Sequence, residues 1–376
     1  MEQLSGDIKE LVASSATESA RRVAGAVLAG KRISSGDALI LAYGASLPLL
    51  SVLASESKRN AAGDVVFFNR NFHIEPTNKC VYNCRFCSYH KPAGDPQCWD
   101  LTVDEMLDIV RRFEHTPVTE VHITGGVHPK HDIYYYAELI RKIKEIRPDI
   151  SIKAYSAVEL DYMIKKAGMS YHDGLALLKQ NGLESIPGGG AEIFDDKLRQ
   201  IICGDKIDAD AYLLIHEEAH KLGIPSNATM LYGHSETWEQ RIDHMAKLRE
   251  LQDRTHGFNA FIPLKFRNEN NDMSYLPVVS VTEDMRNFAI SRIFLDNFPH
   301  LKAYWPALGR DAAVMSLAFG VDDLDGTIDD TTRIYSMAGA EESSPSMTSA
   351  GIAELIRSAG LKPVERDTNY RPLKEW

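Results

Sequence analysis

The sequence has no run of 18 apolar residues, so nothing in it is expected to span a membrane. It has no basic excess either: 42 Lys and Arg stand against 53 Asp and Glu, a formal net charge of −11. A nucleic-acid binder would show a basic stripe, and none is visible, which argues against DNA or RNA as a partner. An anionic small substrate stays compatible, provided that local cations receive it. Residues 1–22 mix acids and bases around no long apolar stretch, unlike a signal peptide. Cysteine is scarce, five in 376 residues, and three of the five fall within eight positions. Clustered cysteines in a chain without an export signal lead us to expect a reducing, cytoplasmic location.

What is there begins with that cluster, Cys80-Val81-Tyr82-Asn83-Cys84-Arg85-Phe86-Cys87, spaced C-x3-C-x2-C. Thiolates are soft ligands, suited to zinc, copper(I) and iron–sulfur clusters. A complete cluster site normally has four cysteines. With three, one iron would lack a protein thiolate and could take an exchangeable ligand, the open position that a catalytic metal site needs. The alternatives are a structural disulfide, a zinc site completed by His90, or chance. The first conflicts with a reducing compartment, and the second does not match the usual zinc spacings. Cys98 and Cys203 are isolated, read as small buried or half-buried thiols, and cannot hold a second cluster.

The length fits one α/β barrel with additions. Residues 1–70 read as a helical lead-in, with Ser35 and Ser46 as candidate caps. From Val65 onward, short β-rich runs alternate with helical stretches, the habit of βα units and a parallel sheet. Thr102 and Glu105 form a capping box. Strands are expected over 120–123, 151–155, 185–187, 226–231, 258–262, 300–305 and 314–319. The expected fold is α/β, a (β/α)8 TIM-type barrel over 71–320, with an N-terminal helical extension (1–70) and a C-terminal extension (321–376) packed on it. An incomplete barrel is the second choice. In such barrels the chemistry sits on the loops after the strands. The cysteine loop, Thr124-Gly125-Gly126, Ser156 with Glu159, Gly188 to Glu192, Tyr232 and Lys265 to Arg267 all fall there.

The cysteine spacing, the aromatic Phe86 and the downstream Thr124-Gly125-Gly126 together resemble the radical S-adenosylmethionine (SAM) enzymes. That resemblance implies a [4Fe–4S] cluster on Cys80, Cys84 and Cys87, with SAM chelating the fourth iron through its methionine amino and carboxylate groups. It places Thr124, Gly125 and Gly126 at the methionine amino group; Val127 stands where the family often has an acid. Glu192 and Lys206 are placed like the acid and base that hold the ribose and the methionine carboxylate. Ser156 and Glu159 would face the nucleoside, Tyr232 would stack on adenine, and Tyr82 and Phe86 would join the cofactor contacts from within the cysteine loop. An electron donor such as flavodoxin or ferredoxin is implied as partner.

Three further stretches, His73-Ile74-Glu75-Pro76-Thr77-Asn78, residues 186–193 and residues 261–270, are similar to the futalosine-pathway enzymes of menaquinone biosynthesis, and so is Asp325-Gly326-Thr327 with residues 337–340 after it. The 261–270 stretch is more like the aminofutalosine synthase branch than the dehypoxanthine futalosine cyclase. The synthase branch adds the adenosyl radical to the vinyl carbon of 3-[(1-carboxyvinyl)oxy]benzoate. The aryl group then migrates and carbon dioxide or bicarbonate leaves, with SAM consumed as co-substrate. A substrate with two carboxylates suits arginine, which binds carboxylate in bidentate fashion. Arg267 and Arg310 are the expected anchors, Lys265 a third candidate, and His73 a substrate contact. The alternatives are the cyclase and, from another class, a non-catalytic zinc-binding protein.

Overall fold

The computed structural model describes residues 6–13, 17–92, 94–327, 333–340 and 345–376. Parts of both expected extensions, residues 1–5, 14–16, 328–332 and 341–344, lie outside that set.

Ten strands are present among the described residues: β1 Val65–Asn69, β2 Asn71–Ile74, β3 Glu120–Ile123, β4 Ser151–Ala154, β5 Ser226–Tyr232, β6 Phe258–Lys265, β7 His300–Leu301, β8 Asp323–Gly326, β9 Lys362–Arg366 and β10 Pro372–Glu375. The strands β2, β3 and β4 pair in parallel, with Asn71 opposite Glu120 and Glu120 opposite Ser151. Single bridges from Lys153 to Ser185 and from Ile186 to Ser226 insert a short segment between β4 and β5. The parallel order continues through β5, β6 and β7, and a bridge from Lys302 to Asp323 leads on to β8. Eight parallel segments therefore follow one another around a TIM-type barrel. Between β8 and β2 a side chain makes the closure: the Thr327 hydroxyl donates to the Asn71 carbonyl (2.9 Å) and accepts from its N–H (3.1 Å).

Local chemistry explains the helix starts. Ser46 caps the helix Leu47–Ala62 as expected, whereas Ser34 with Asp37, one residue before the expected Ser35, caps Ser35–Gly44. Thr102 with Glu105 opens Val103–Arg112, and Ser156 with Glu159 opens Ala157–Lys166, each as a full capping box.

The last barrel strand is not where the sequence suggested. Residues 314–319 are helical, within Arg310–Ser316 and the 3-10 turn Leu317–Phe319, as the Ala, Met and Leu content favours. The strand is Asp-Leu-Asp-Gly, β8, which carries no β-branched residue and is held by its neighbours β1 and β7. It lies beyond residue 320, so the barrel extends into the expected tail. The expected strand over 300–305 is short, because Pro306 starts the helical turn Trp305–Leu308. The tail contributes more than a helix. β9 pairs with β1, and its last residue together with the segment after it seals the barrel floor: fully buried Arg366 donates to Asp323 (2.7 Å), and the Thr368 hydroxyl donates to Glu120. Among the described residues no helix is long and apolar enough to cross a membrane.

Candidate active site

A cavity of about 310 Å³ runs down the barrel from the loops after the strands. Its rim includes Cys80, Cys84 and Cys87, and its inner end reaches Glu120 and Lys153.

The cysteine loop follows β2 and is strapped before it turns. Thr77 donates to the Trp99 carbonyl (2.8 Å), and Asn78 exchanges bonds with Gln97 and Trp99 (both 2.9 Å). Backbone N–H groups already point at the sulfurs: Tyr82 and Val127 at Cys80 Sγ, and His90 at Cys87 Sγ, each at 3.4 Å. Burial raises the Cys84 and Cys87 thiols above their ordinary range, so a positively charged metal centre is what would ionise them. Among the described residues no three His, Cys, Asp or Glu converge tightly enough for a single ion. Thiolates at the corners of a four-iron cluster stand further apart than ligands sharing one ion. Three soft donors on one cavity rim fit such a cluster.

The two glycines after β3 are required first by the loop they face. A Cβ on Gly126 would sit 2.3 Å from the Lys79 carbonyl oxygen, and one on Gly125 2.8 Å from that of Thr77. Their backbone is thereby pressed against the cysteine loop, with Gly126 N–H donating to Thr77 (2.7 Å). Thr124, Gly125 and Gly126 line the cavity, as do Tyr82, Phe86, Ser156, Glu192 and Lys206. Glu159 does not. It stands behind the turn, accepting from Thr124 Oγ1 (2.9 Å), Gly125 N–H (3.2 Å) and Ser156 N–H (2.8 Å), so it positions the glycines and does not face a nucleoside. Burial pushes its carboxyl up to about 7, against the pull of those hydrogen bonds.

Glu192 and Lys206 meet as an ion pair at 2.5 Å, with the ammonium 5.5 Å from the Phe86 ring centre. Burial pulls Lys206 down, but the groups around it, Glu192 first, together more than offset it and keep the ammonium charged. The Glu192 backbone is left-handed, φ 50°, a strained setting for a non-glycine residue that costs about 1 kcal/mol or more. Tyr232 is a correction: it is fully buried outside the cavity, its hydroxyl donating to Asp284 (2.8 Å) and its ring under Arg241. The neighbouring Leu231 lines the cavity instead, because successive residues of a strand face opposite ways.

Comparison with known proteins gives the family. Residues 74–248 match the radical SAM superfamily, and residues 255–375 match the CofH/MqnC C-terminal region. A protein of Thermus thermophilus named aminodeoxyfutalosine synthase is 41% identical over 94% of this chain and 96% of its own length. One of the same name from Streptomyces coelicolor is 36% identical over 93% of each chain. The chain belongs to the radical SAM superfamily. It is also 38% identical, over 86% of its length and 88% of the relative's, to a Methanopyrus kandleri protein named 5-amino-6-(D-ribitylamino)uracil–L-tyrosine 4-hydroxyphenyl transferase. Among solved structures, methylornithine synthase superposes with a TM-score of 0.73 at 17% identity, covering 91% of this chain and 97% of that one, a likeness of fold. Radical SAM enzymes use a [4Fe–4S] cluster and SAM; here Cys80, Cys84 and Cys87, three soft donors on one cavity rim, would hold the cluster.

The rest of this radical SAM enzyme's cavity separates the expected substrate residues. His73 lines it, edge-on to His122 with ring centres 4.6 Å apart. Lys265 lines it too, paired with buried Asp284 at 2.6 Å. Arg267 lines it half-buried, with Nε donating to the Ala307 carbonyl (2.9 Å) and no carboxylate within 4.0 Å among the described residues. Arg310 is a correction. It begins a helix after the turn at Gly309, is exposed, lies against Trp305 and donates to the Ser346 carbonyl (3.2 Å), away from the cavity. Sequence reasoning gave no site role to His122, Lys153, Lys302, Asp325 and Tyr335, all on the cavity wall. The available signal was polar residues at alternate positions of short buried strands, as in Glu-Val-His-Ile and Ser-Ile-Lys-Ala.

Proposed function

We propose that this radical SAM enzyme is an aminodeoxyfutalosine synthase, acting on 3-[(1-carboxyvinyl)oxy]benzoate in a route to menaquinone. The observation that carries the reading is Arg267, a cavity-lining guanidinium without a carboxylate of its own. Its segment is tied to the cysteine loop: Ser88 donates to the Glu269 carbonyl (2.6 Å), and Asp272 N–H to that of Arg85 (2.8 Å). An anion on Arg267 therefore sits beside the place where SAM is handled. With Nε fixed on Ala307, the two terminal amino groups are left for bidentate contact with the carboxylate next to the vinyl carbon.

A [4Fe–4S] cluster held by Cys80, Cys84 and Cys87 would supply the one electron that cleaves SAM to methionine and a 5′-deoxyadenosyl radical, and would take one electron back when the product radical loses its carboxylate. The adenosyl group joins the vinyl carbon, the aryl group migrates from the ether oxygen to the adjacent carbon, and that carbon's carboxylate leaves as carbon dioxide or bicarbonate while the oxygen becomes a ketone, with one electron released. The protein's part is to hold the vinyl group by Arg267 and to keep water away with Leu231, Ile262, Leu264 and Phe266, the apolar wall of the cavity. The names of the two relatives at 41% and 36% identity support this reading over that of the archaeal transferases. Anaerobic turnover with SAM and the enol ether, with products read by mass, tests it. The expected result is one product retaining both adenine and the aryl group. Release of 5′-deoxyadenosine with the enol ether untouched rejects it.

A further inference from the structure

The inner half of the cavity is made from strands, not loops. His122 on β3 and Lys153 on β4 are in register, and Lys302 directly follows β7. Lys153 donates to Glu120 (2.7 Å) and Lys302 to Asp325 (2.6 Å). Both lysines are almost fully buried, at 5% and 2% exposure. Each ammonium has three donors and gives one to its carboxylate, so two remain on each. His122 Nε2 is buried as well, and the protein supplies it no hydrogen-bond partner. A buried polar group left without a partner is costly, so the His122 nitrogen, on a residue that lines the cavity beside two ammonium groups with donors to spare, marks a place where a ligand completes the bonding. Burial first, then the charges of His73 and Lys153, keep His122 neutral.

The charges on this floor balance: Lys153, Lys302 and Arg366 against Glu120, Asp323 and Asp325. Net charge therefore does not select the ligand; directed donors do. A carboxylate offers about four acceptor sites, a hydroxyl only two. The adjoining wall, Leu231 on β5 with Ile262 and Leu264 on β6, suits a flat apolar ring.

We propose that His122, Lys153 and Lys302 form the subsite for a carboxylate carried on the substrate's aromatic ring, with the ring against Leu231, Ile262 and Leu264. This rests on the aryl enol ether reading above and adds a direction: the vinyl carboxylate at Arg267 on the rim, the ring carboxylate at the floor.

The test compares two enol ethers, one with the 3-carboxylate on its ring and one with plain phenyl. The native enzyme should prefer the first by at least about 100-fold in kcat/KM, because a site built for hydrogen bonds rejects the analogue that lacks them. That ratio should fall at least tenfold in His122→Phe and in the double variant Lys302→Met with Asp325→Asn, which removes a charge and its partner together. A cooperative melt checks folding. Calorimetric binding of 3-methoxybenzoate against anisole keeps the test independent of turnover and of variant folding. The acid should bind and anisole should not, in the native enzyme and in Arg267→Ala alike. Equal use of both enol ethers, or equal binding of both probes, overturns the subsite. Failed turnover with the probe preference intact overturns the proposed function alone.

Discussion

The rim and the floor of one cavity are built by different means. The rim comes from loops: contiguous motifs such as the cysteine loop and Thr124-Gly125-Gly126, positioned by backbone contacts and by one capping glutamate. The floor comes from strand interiors and a C-terminal plug, with each charge balanced by a partner on another strand. The rim is therefore general, fit for the cofactor that the whole superfamily shares. The floor is particular, and it is where a substrate would be read.

Substitutions should separate the two regions. The largest effect is expected at the rim: Cys84→Ala should lose the cluster, and SAM cleavage should fall below detection in an anaerobic assay with dithionite. Arg267→Ala, where rim meets substrate, should raise the substrate KM roughly 30-fold, the worth of one charged hydrogen-bonded contact, while the KM for SAM moves little. Glu159 offers a pH signature. Its folded-state value of about 7 lies above the ordinary 4.5, so the fold favours the protonated acid. Its contribution to stability is present below about 4.5 and is lost as pH rises through about 7, amounting to at most roughly 3 kcal/mol. Melting temperatures across that interval should show the loss in the native protein and a flatter profile in Glu159→Gln. The smallest effect is expected from Tyr232→Phe. It should lower stability by about 1 kcal/mol through the lost bond to Asp284 and leave the KM for SAM unchanged, because the ring lies outside the cavity.

The same contrast decides what could be read from sequence. The cysteine loop, the capping boxes and the two glycines are local patterns whose chemistry is complete within a few residues. The floor is not local. His122 gains its meaning from Lys153 in the next strand and from Lys302 much further along the chain, neighbours that only barrel closure supplies. Phase is equally hidden. Choosing Tyr232 over Leu231 points to the wrong side of β5, since one residue's shift exchanges the faces of a strand. Arg310 was misplaced because the Pro306 turn and Gly309 redirect the chain before it. β8 escaped notice because Asp-Leu-Asp-Gly carries no strand propensity and is set by its neighbours.

The central claim is that three thiols on the rim hold a cluster with one iron left for SAM. Iron content and dithionite-driven SAM cleavage, measured on one anaerobically reconstituted sample, test it most directly. About four irons per chain with methionine released is the predicted result. A colourless protein that holds zinc and leaves SAM intact would contradict it.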